Sequence, residues 1–348
     1  MHLNQLKILL FFTCQAFAAD LKNEPFFVID NLSLAPEPHV LKRYIGKEIR
    51  LATTSGCAFA HHQDFLFSVN LSAHAIEVFG LVNNKSQAEL SYFLTNKDGL
   101  NTHKPTNLAL THDDRLLAVA NNGNGSVTVY KVDPLTCHID PHPIASLVKK
   151  GDTLPHGIQT VVLGSNEYIA FSQIKPSIQI DFYEIQKKND QYVFPFSHTL
   201  KFDNKYQLWV KAFAWSQSKE MFVVGLCDGA SAKPVKNLKG CIKLFRFNPN
   251  SRKTEECLAY YEGGHAFEGI AFLDEKTIVA TDQMQDKLMI FSYEAEKNAL
   301  KLIKTISKEI GQLSYPHGVD VSPDHKILAV SNYGTNTITL YEVIQGED

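Results

Sequence analysis

The chain has 348 residues, 44% of them hydrophobic and 20% charged, with a formal charge of −3. That is enough apolar material for a large core, which excludes a disordered protein. The balance of charge excludes a global pull toward nucleic acid or anionic lipid, because such binding runs on clustered Lys and Arg neutralising phosphates.

The first eighteen residues, MHLNQLKILLFFTCQAFA, read as a signal peptide: Lys7 is the positive region, Ile8 to Phe12 the apolar run, and Ala16 and Ala18 have the spacing signal peptidase accepts. Cleavage after Ala18 leaves one domain, residues 19–348, and predicts a periplasmic or extracellular protein. A buried N-terminal strand is the competing reading. Phe12 and Thr13 are a poor lipobox before Cys14, and no later apolar stretch is long enough to span a bilayer. The mature chain keeps Cys57, Cys137, Cys227, Cys241 and Cys257, an odd set without metal-ligand spacing. Cys227 and Cys241 flank an insertion and could close it as a disulfide; two buried thiols is an equal reading.

From residue 56 onward the chain repeats itself. PTNLALTHDDRLLAVANNGNGSVTVYKV, from Pro105 to Val132, aligns without a gap with PHGVDVSPDHKILAVSNYGTNTITLYEV, from Pro316 to Val343. Weaker copies begin at Gly56, Pro155, Lys211 and Glu268, and the period is about fifty residues. Each copy runs strand, polar turn, strand, Gly or polar turn, alternating strand. The alternation in Ser126-Val127-Thr128-Val129-Tyr130 and Thr337-Ile338-Thr339-Leu340-Tyr341 predicts one apolar face. His112-Asp113-Asp114 and Pro323-Asp324 supply the first turns, and Gly123 and Gly334 are expected to take positive φ in the second. Four-stranded units at this period predict an all-β propeller, since radial repetition protects strand edges. Six blades are favoured, with seven as the alternative if residues 20–55 hold a degenerate copy. A strand near Phe26 to Ile29 or Val40 to Ile45 is expected to complete the last blade.

Repeats of the form PHGV-SPD-LAVSN-G-ITLYEV resemble the lactonase-type and YVTN-type propellers, which include 6-phosphogluconolactonases, carboxymuconate cycloisomerases and surface-layer or periplasmic WD40-like propellers. The resemblance covers nearly all of the mature chain. It implies hydrolysis of a sugar lactone by histidine and arginine side chains in the central funnel. His156 and His317 stand in the matching Pro-His-Gly segments, whereas Asn121-Asn122-Gly123 and Asn332-Tyr333-Gly334 lack the Arg often found there.

The residue before each repeat anchor is expected at the funnel mouth: Ser55, Thr106, His156, Lys211, Glu268 and His317. Third and sixth copies face each other in a six-fold ring, so His156 and His317 should meet across the axis, with Lys211 and Glu268 as neighbours. Such a set suits acid-base chemistry, and with Glu268 the histidines could hold a divalent metal. A second polar layer, Asn70, Asn121, Gln173, Asp282 and Asn332 with Asp228 shifted by the insertion, suits a polyol or calcium, or merely caps turns. His61-His62 fall on the opposite face, and the basic run 230–240 could gate the funnel or only be solvated loop. His265 and Glu268 stand three apart on a segment leading into a strand, so that spacing carries no ligand motif. No GxSxG elbow, phosphate-binding loop or HExxH helix is present. The leading reading is therefore a propeller that binds a small polar ligand or protein partner at its funnel. A lactone hydrolase using His156, His317, Glu268 and Lys211 is the second. A single-stranded nucleic-acid scaffold would need a basic, aromatic surface that the charge argues against. Nothing in the sequence speaks to oligomeric state.

Overall fold

A computed structural model describes residues 27–34, 53–82, 87–147, 154–174, 179–201, 208–227 and 240–345. They form six four-stranded antiparallel sheets. Blade 1 is β2 (Thr54–Phe59), β3 (Phe65–Asn70), β4 (Ala75–Val82) and β5 (Gln87–Thr95). Blade 2 is β6 (Pro105–Leu110), β7 (Leu116–Asn121), β8 (Ser126–Lys131) and the two-residue β9 (Ala145–Ser146). Blade 3 is β10 (Pro155–Leu163), β11 (Asn166–Gln173), β12 (Gln179–Glu184) and β15 (Phe196–Lys201), with the hairpin β13 (Gln186–Lys188) and β14 (Gln191–Val193) inserted before its outer strand. Blade 4 is β16 (Trp209–Trp215), β17 (Met221–Cys227), β18 (Cys241–Asn248) and β19 (Lys253–Glu262). Blade 5 is β20 (Phe267–Phe272), β21 (Thr277–Asp282), β22 (Lys287–Glu294) and β23 (Ala299–Ile306).

Blade 6 takes β24 (Pro316–Val321), β25 (Ile327–Asn332) and β26 (Thr337–Gln345) from the C-terminus and β1 (Phe27–Leu34) from the N-terminus. β1 pairs antiparallel with β26 from Phe27↔Gln345 to Leu34↔Ile338. This is the expected clasp, carried by the first of the two candidate segments. The signal peptide and the Val40 to Ile45 candidate lie outside the described residues.

The ring closes because each inner strand packs on the next, with β24 returning to β2. Gly318 marks the closure: a Cβ there would stand 2.9 Å from both Gly56 Cα and the Ser55 carbonyl oxygen. Only the bare glycine backbone fits that crossing. The core is distributed rather than central. Six apolar clusters occupy the six gaps between neighbouring blades, such as Phe67, Val69 and Val78 of blade 1 against Leu117, Val119 and Tyr130 of blade 2.

One local expectation is extended and one is corrected. The apolar face expected of the third strands is present, as Val127 and Val129 of β8 show, and the other face is covered too: the polar Thr128 is fully buried and accepts a hydrogen bond from Asn121 Nδ2 at 3.0 Å. Gly123 and Gly334 do not take positive φ. In the four described second turns, of blades 1, 2, 5 and 6, the left-handed residue is the one just before strand three, namely His74 (φ 53°), Gly125 (69°), Asp286 (52°) and Asn336 (57°). Gly123 instead supplies room, since a Cβ would press on the His103 carbonyl at 2.7 Å. No helix among the described residues is long and apolar enough to cross a membrane.

Candidate active site in the axial channel

A β-bulge interrupts the pairing of the first two strands in every blade, at the same place: after Thr54, Pro105, Pro155, Val210, Phe267 and Pro316. A bulge leaves one residue unpaired and re-aims its side chain. In blades 3, 5 and 6 the residue after it is glycine, whose N–H donates at 2.8 Å to a strand-two hydroxyl: Gly157 to Ser172, Gly269 to Thr281 and Gly318 to Ser331. The bulged residues there are His156, Glu268 and His317, and Lys211 is the counterpart in blade 4.

These four side chains meet. Lys211 Nζ stands 3.0 Å from Glu268 Oε1 and 3.4 Å from His156 Nε2. Glu268 Oε2 lies 3.2 Å from His156 Nε2 and 3.6 Å from His317 Nε2. The imidazoles face each other with centroids 5.2 Å apart. Tyr333 stacks on His317 with centroids 6.0 Å apart, and the ring of Trp209 lies 5.7 Å from the Lys211 ammonium. The ring was expected at an open funnel mouth; it is enclosed, with Lys211 5%, Glu268 2%, His156 3% and His317 4% exposed.

Enclosure sets the charges. Burial, then the neighbouring Lys211 ammonium, pushes the His156 imidazole down to about 3, and burial pushes His317 down to about 4. Burial alone would lift the Glu268 carboxyl, but the Lys211 ammonium, aided by the imidazoles, overrides it and holds Glu268 down at about 2. Burial likewise works against the Lys211 ammonium, and the Glu268 carboxylate outweighs it, so Lys211 is raised. At neutral pH the site therefore holds one ion pair and two neutral imidazoles. His156 Nδ1–H donates to the Lys211 carbonyl at 3.0 Å, which leaves a lone pair on Nε2. His317 places Nδ1 3.4 Å from Ser55 Oγ, which orients its Nε2 inward in the same way. Glu268 Oε2 is close to both Nε2 atoms yet has no hydrogen-bond partner.

The rest of the first ring and the described residues of the second layer are engaged within the protein. Thr106 Oγ1 donates to the carbonyls of Ala120 (3.3 Å) and His156 (3.2 Å), tying blade 2 to blade 3. Asn70 Oδ1 accepts from Thr53 and Ala73 N–H, Asn121 Oδ1 from His103 N–H and Asn332 Oδ1 from Ser314 N–H. The Asp282 carboxylate accepts from His265 and Ala266 N–H, and Gln173 Nε2 donates to Asp181. All five are buried, and Asn70, Asn121, Asp282 and Asn332 hold the loop that enters their own blade. Asp228 and residues 230–239 lie outside the described residues. The described cysteines are all thiols, so Cys227 and Cys241 do not form the disulfide that one reading allowed.

Below the ring an axial cavity of about 80 Å³ is lined by Asn107, Gly157, Ala212 and Gly269 and, further down, by Cys57 and Asp320. Asp320 accepts from Phe59 N–H at 2.8 Å, and burial pushes its carboxyl up to about 7. Sequence reasoning missed Asp320, Tyr333 and Trp209. The first lies four residues beyond the Pro-His-Gly start, on the inner strand, and that position was the available signal.

The family model described as Lactonase, 7-bladed beta-propeller matches residues 241–347. The blades described here number six. A putative 6-phosphogluconolactonase from Bacteroides fragilis superposes with a TM-score of 0.56 at 14% identity, covering 84% of this chain and 82% of that one. The periplasmic gluconolactonase PpgL of Pseudomonas aeruginosa gives 0.51 at 14% identity, covering 74% and 70%. The Cps50 (Swd1) propeller domain from Myceliophteria thermophila gives 0.53 at 12% identity, covering 84% and 97%. At these identities the likeness is one of fold. No curated protein sequence matches the chain.

Proposed function

We propose that this propeller is an exported lactonase-type hydrolase that opens a small polar cyclic ester in its axial channel. The observation that carries the reading is the convergence of His156, Lys211, Glu268 and His317 from four blades, two of them, Glu268 and His317, within the segment the lactonase family model matches. Opening a lactone needs a group that takes a proton from the attacking water and a cation beside the carbonyl oxygen as negative charge builds there. A neutral imidazole supplies the first: His317 through Nε2, or His156 once Nε2 is released from its 3.4 Å contact with Lys211. The Lys211 ammonium, kept charged by Glu268, supplies the second. Water adds to the carbonyl carbon, the ring C–O bond breaks, the ring oxygen takes up a proton, and a hydroxy acid leaves.

The test is hydrolysis of a panel of sugar and aliphatic lactones by residues 19–348, beside His156→Ala and His317→Ala variants. Turnover that both variants lose supports the reading, and no turnover above the uncatalysed rate for any lactone overturns it. The enclosure of the ring favours a second reading, in which the channel binds a small polar ligand, or the funnel face a protein partner, without turnover. Binding without hydrolysis in the same panel is its signature. Export is checked by the mass of protein recovered outside the cytoplasm, expected to begin at Ala19.

A further inference from the structure

We propose that His156 Nε2, His317 Nε2 and Glu268 Oε2 form a binding site for one divalent first-row metal ion of zinc type. The three atoms come from blades 3, 6 and 5 and lie within 4.8 Å of one another. Two donors each about 2.05 Å from a tetrahedral zinc stand about 3.3 Å apart. The separations here, 3.2 and 3.6 Å from Oε2 to the two imidazole nitrogens, bracket that value.

The hydrogen-bond pattern points the same way. The proton of His156 is on Nδ1, held by the Lys211 carbonyl; the Lys211 ammonium reaches Nε2 only at 3.4 Å and bonds Oε1 rather than Oε2, so no hydrogen lies between Nε2 and Oε2. Two acceptors that close, in a buried place, repel unless a cation lies between. Glu268 Oε2 is the orphan that such an ion would satisfy. The outer partners are those that metal-bound side chains take: Nδ1 of His156 on a backbone carbonyl, Nδ1 of His317 beside Ser55, and the second carboxylate oxygen on Lys211. Two imidazoles and a carboxylate suit zinc, cobalt or iron and not calcium or magnesium, which take oxygen ligands. The ion would keep the Lys211 contact to Oε1 and displace the one to His156 Nε2.

This inference does not rest on the lactonase reading, because the ion is measured without substrate; a bound ion would take the Nε2 lone pairs that the proposed base step uses, so that step belongs to the metal-free protein. Metal-free residues 19–348 are titrated with zinc by calorimetry and with cobalt(II) by visible absorption, beside His317→Gln, Glu268→Gln and, as a control on the opposite face, His112→Gln. One equivalent of zinc is expected in wild type and in His112→Gln. The other two variants should bind at least the roughly 10–100-fold more weakly that loss of an outer partner alone produces. Cobalt(II) should show the intense bands of a four-coordinate site in wild type, a readout that stands even where a variant fails to fold. Absence of stoichiometric zinc overturns the proposal. So does unchanged affinity in a folded His317→Gln, a six-coordinate cobalt spectrum, or loss of the ion on changing His112, which packs against His61 and His62.

Discussion

Lys211→Met tests whether the axial ring is held together as an electrostatic unit. Nζ and Oε1 are 3.0 Å apart with side-chain exposures of 6% and 2%. At an effective dielectric of about 20 this separation corresponds to about 5 kcal/mol of attraction. Removing the ammonium leaves Glu268 buried with its charge uncompensated, and breaking a buried pair in this way costs about 3–5 kcal/mol. Glu268→Gln, which leaves the ammonium alone, should cost a similar amount. The double variant Lys211→Met/Glu268→Gln removes both charges and should lie close to wild type, because replacing a whole buried pair is often neutral. The coupling energy of the cycle is therefore expected at about 3 kcal/mol or more. Urea unfolding of all four proteins at pH 7 with chelator present measures it. Additive single effects would show that the two groups do not depend on each other and would refute the reasoning.

Three further outcomes are expected. Glu77 is 1% exposed, and burial, only partly opposed by the Asn70 hydrogen bond, pushes its carboxyl up to about 7 from an ordinary 4.5. The folded-state value is the raised one, so its stabilising contribution is complete below about pH 4.5 and is lost as pH climbs through 7, a change of about 3 kcal/mol. Glu77→Gln should flatten that part of the urea-midpoint profile, and parallel profiles would contradict the assignment. Gly318→Ala forces a methyl to within 2.9 Å of Gly56 Cα where blades 6 and 1 meet, and should destabilise by about 1–3 kcal/mol in thermal melts. Deleting residues 19–34 removes β1 and leaves β26 as an open edge. Light scattering should then detect association that the longer chain does not show, whereas deletion of residues 1–18 alone leaves β1 intact.

The repeat, the blade order and the strand boundaries were legible in the chain because they are local. The turn chemistry of His112-Asp113-Asp114 and the fifty-residue period need no partner from elsewhere to be read, and the small anchors Gly56, Gly157, Gly269 and Gly318 mark the inner strands in advance. The ring residues were legible too, since each holds one place in a repeat; six-fold closure then brings His156 and His317 face to face. What a repeat cannot convey is how far the blades close in. Only the tertiary structure decided that Lys211, Glu268, His156 and His317 are enclosed rather than open to a funnel, and that an ion pair beside neutral imidazoles follows from that enclosure.

The same reason explains the second layer. Asn70, Asn121 and Asn332 look alike as ligand groups or as turn caps, and the difference lies in where the incoming loop places its N–H groups. In β8, alternation of polar and apolar residues predicted one apolar face, and Val127 and Val129 form it; that the polar Thr128 face is buried as well was decided by the neighbouring blade. Periodicity reports which side of a strand a residue occupies, whereas burial depends on what another part of the chain lays against that side. Residue type and order therefore determined the propeller and nominated its axial residues. The distances, the charge states and the unpartnered Glu268 oxygen came from packing six blades around one axis.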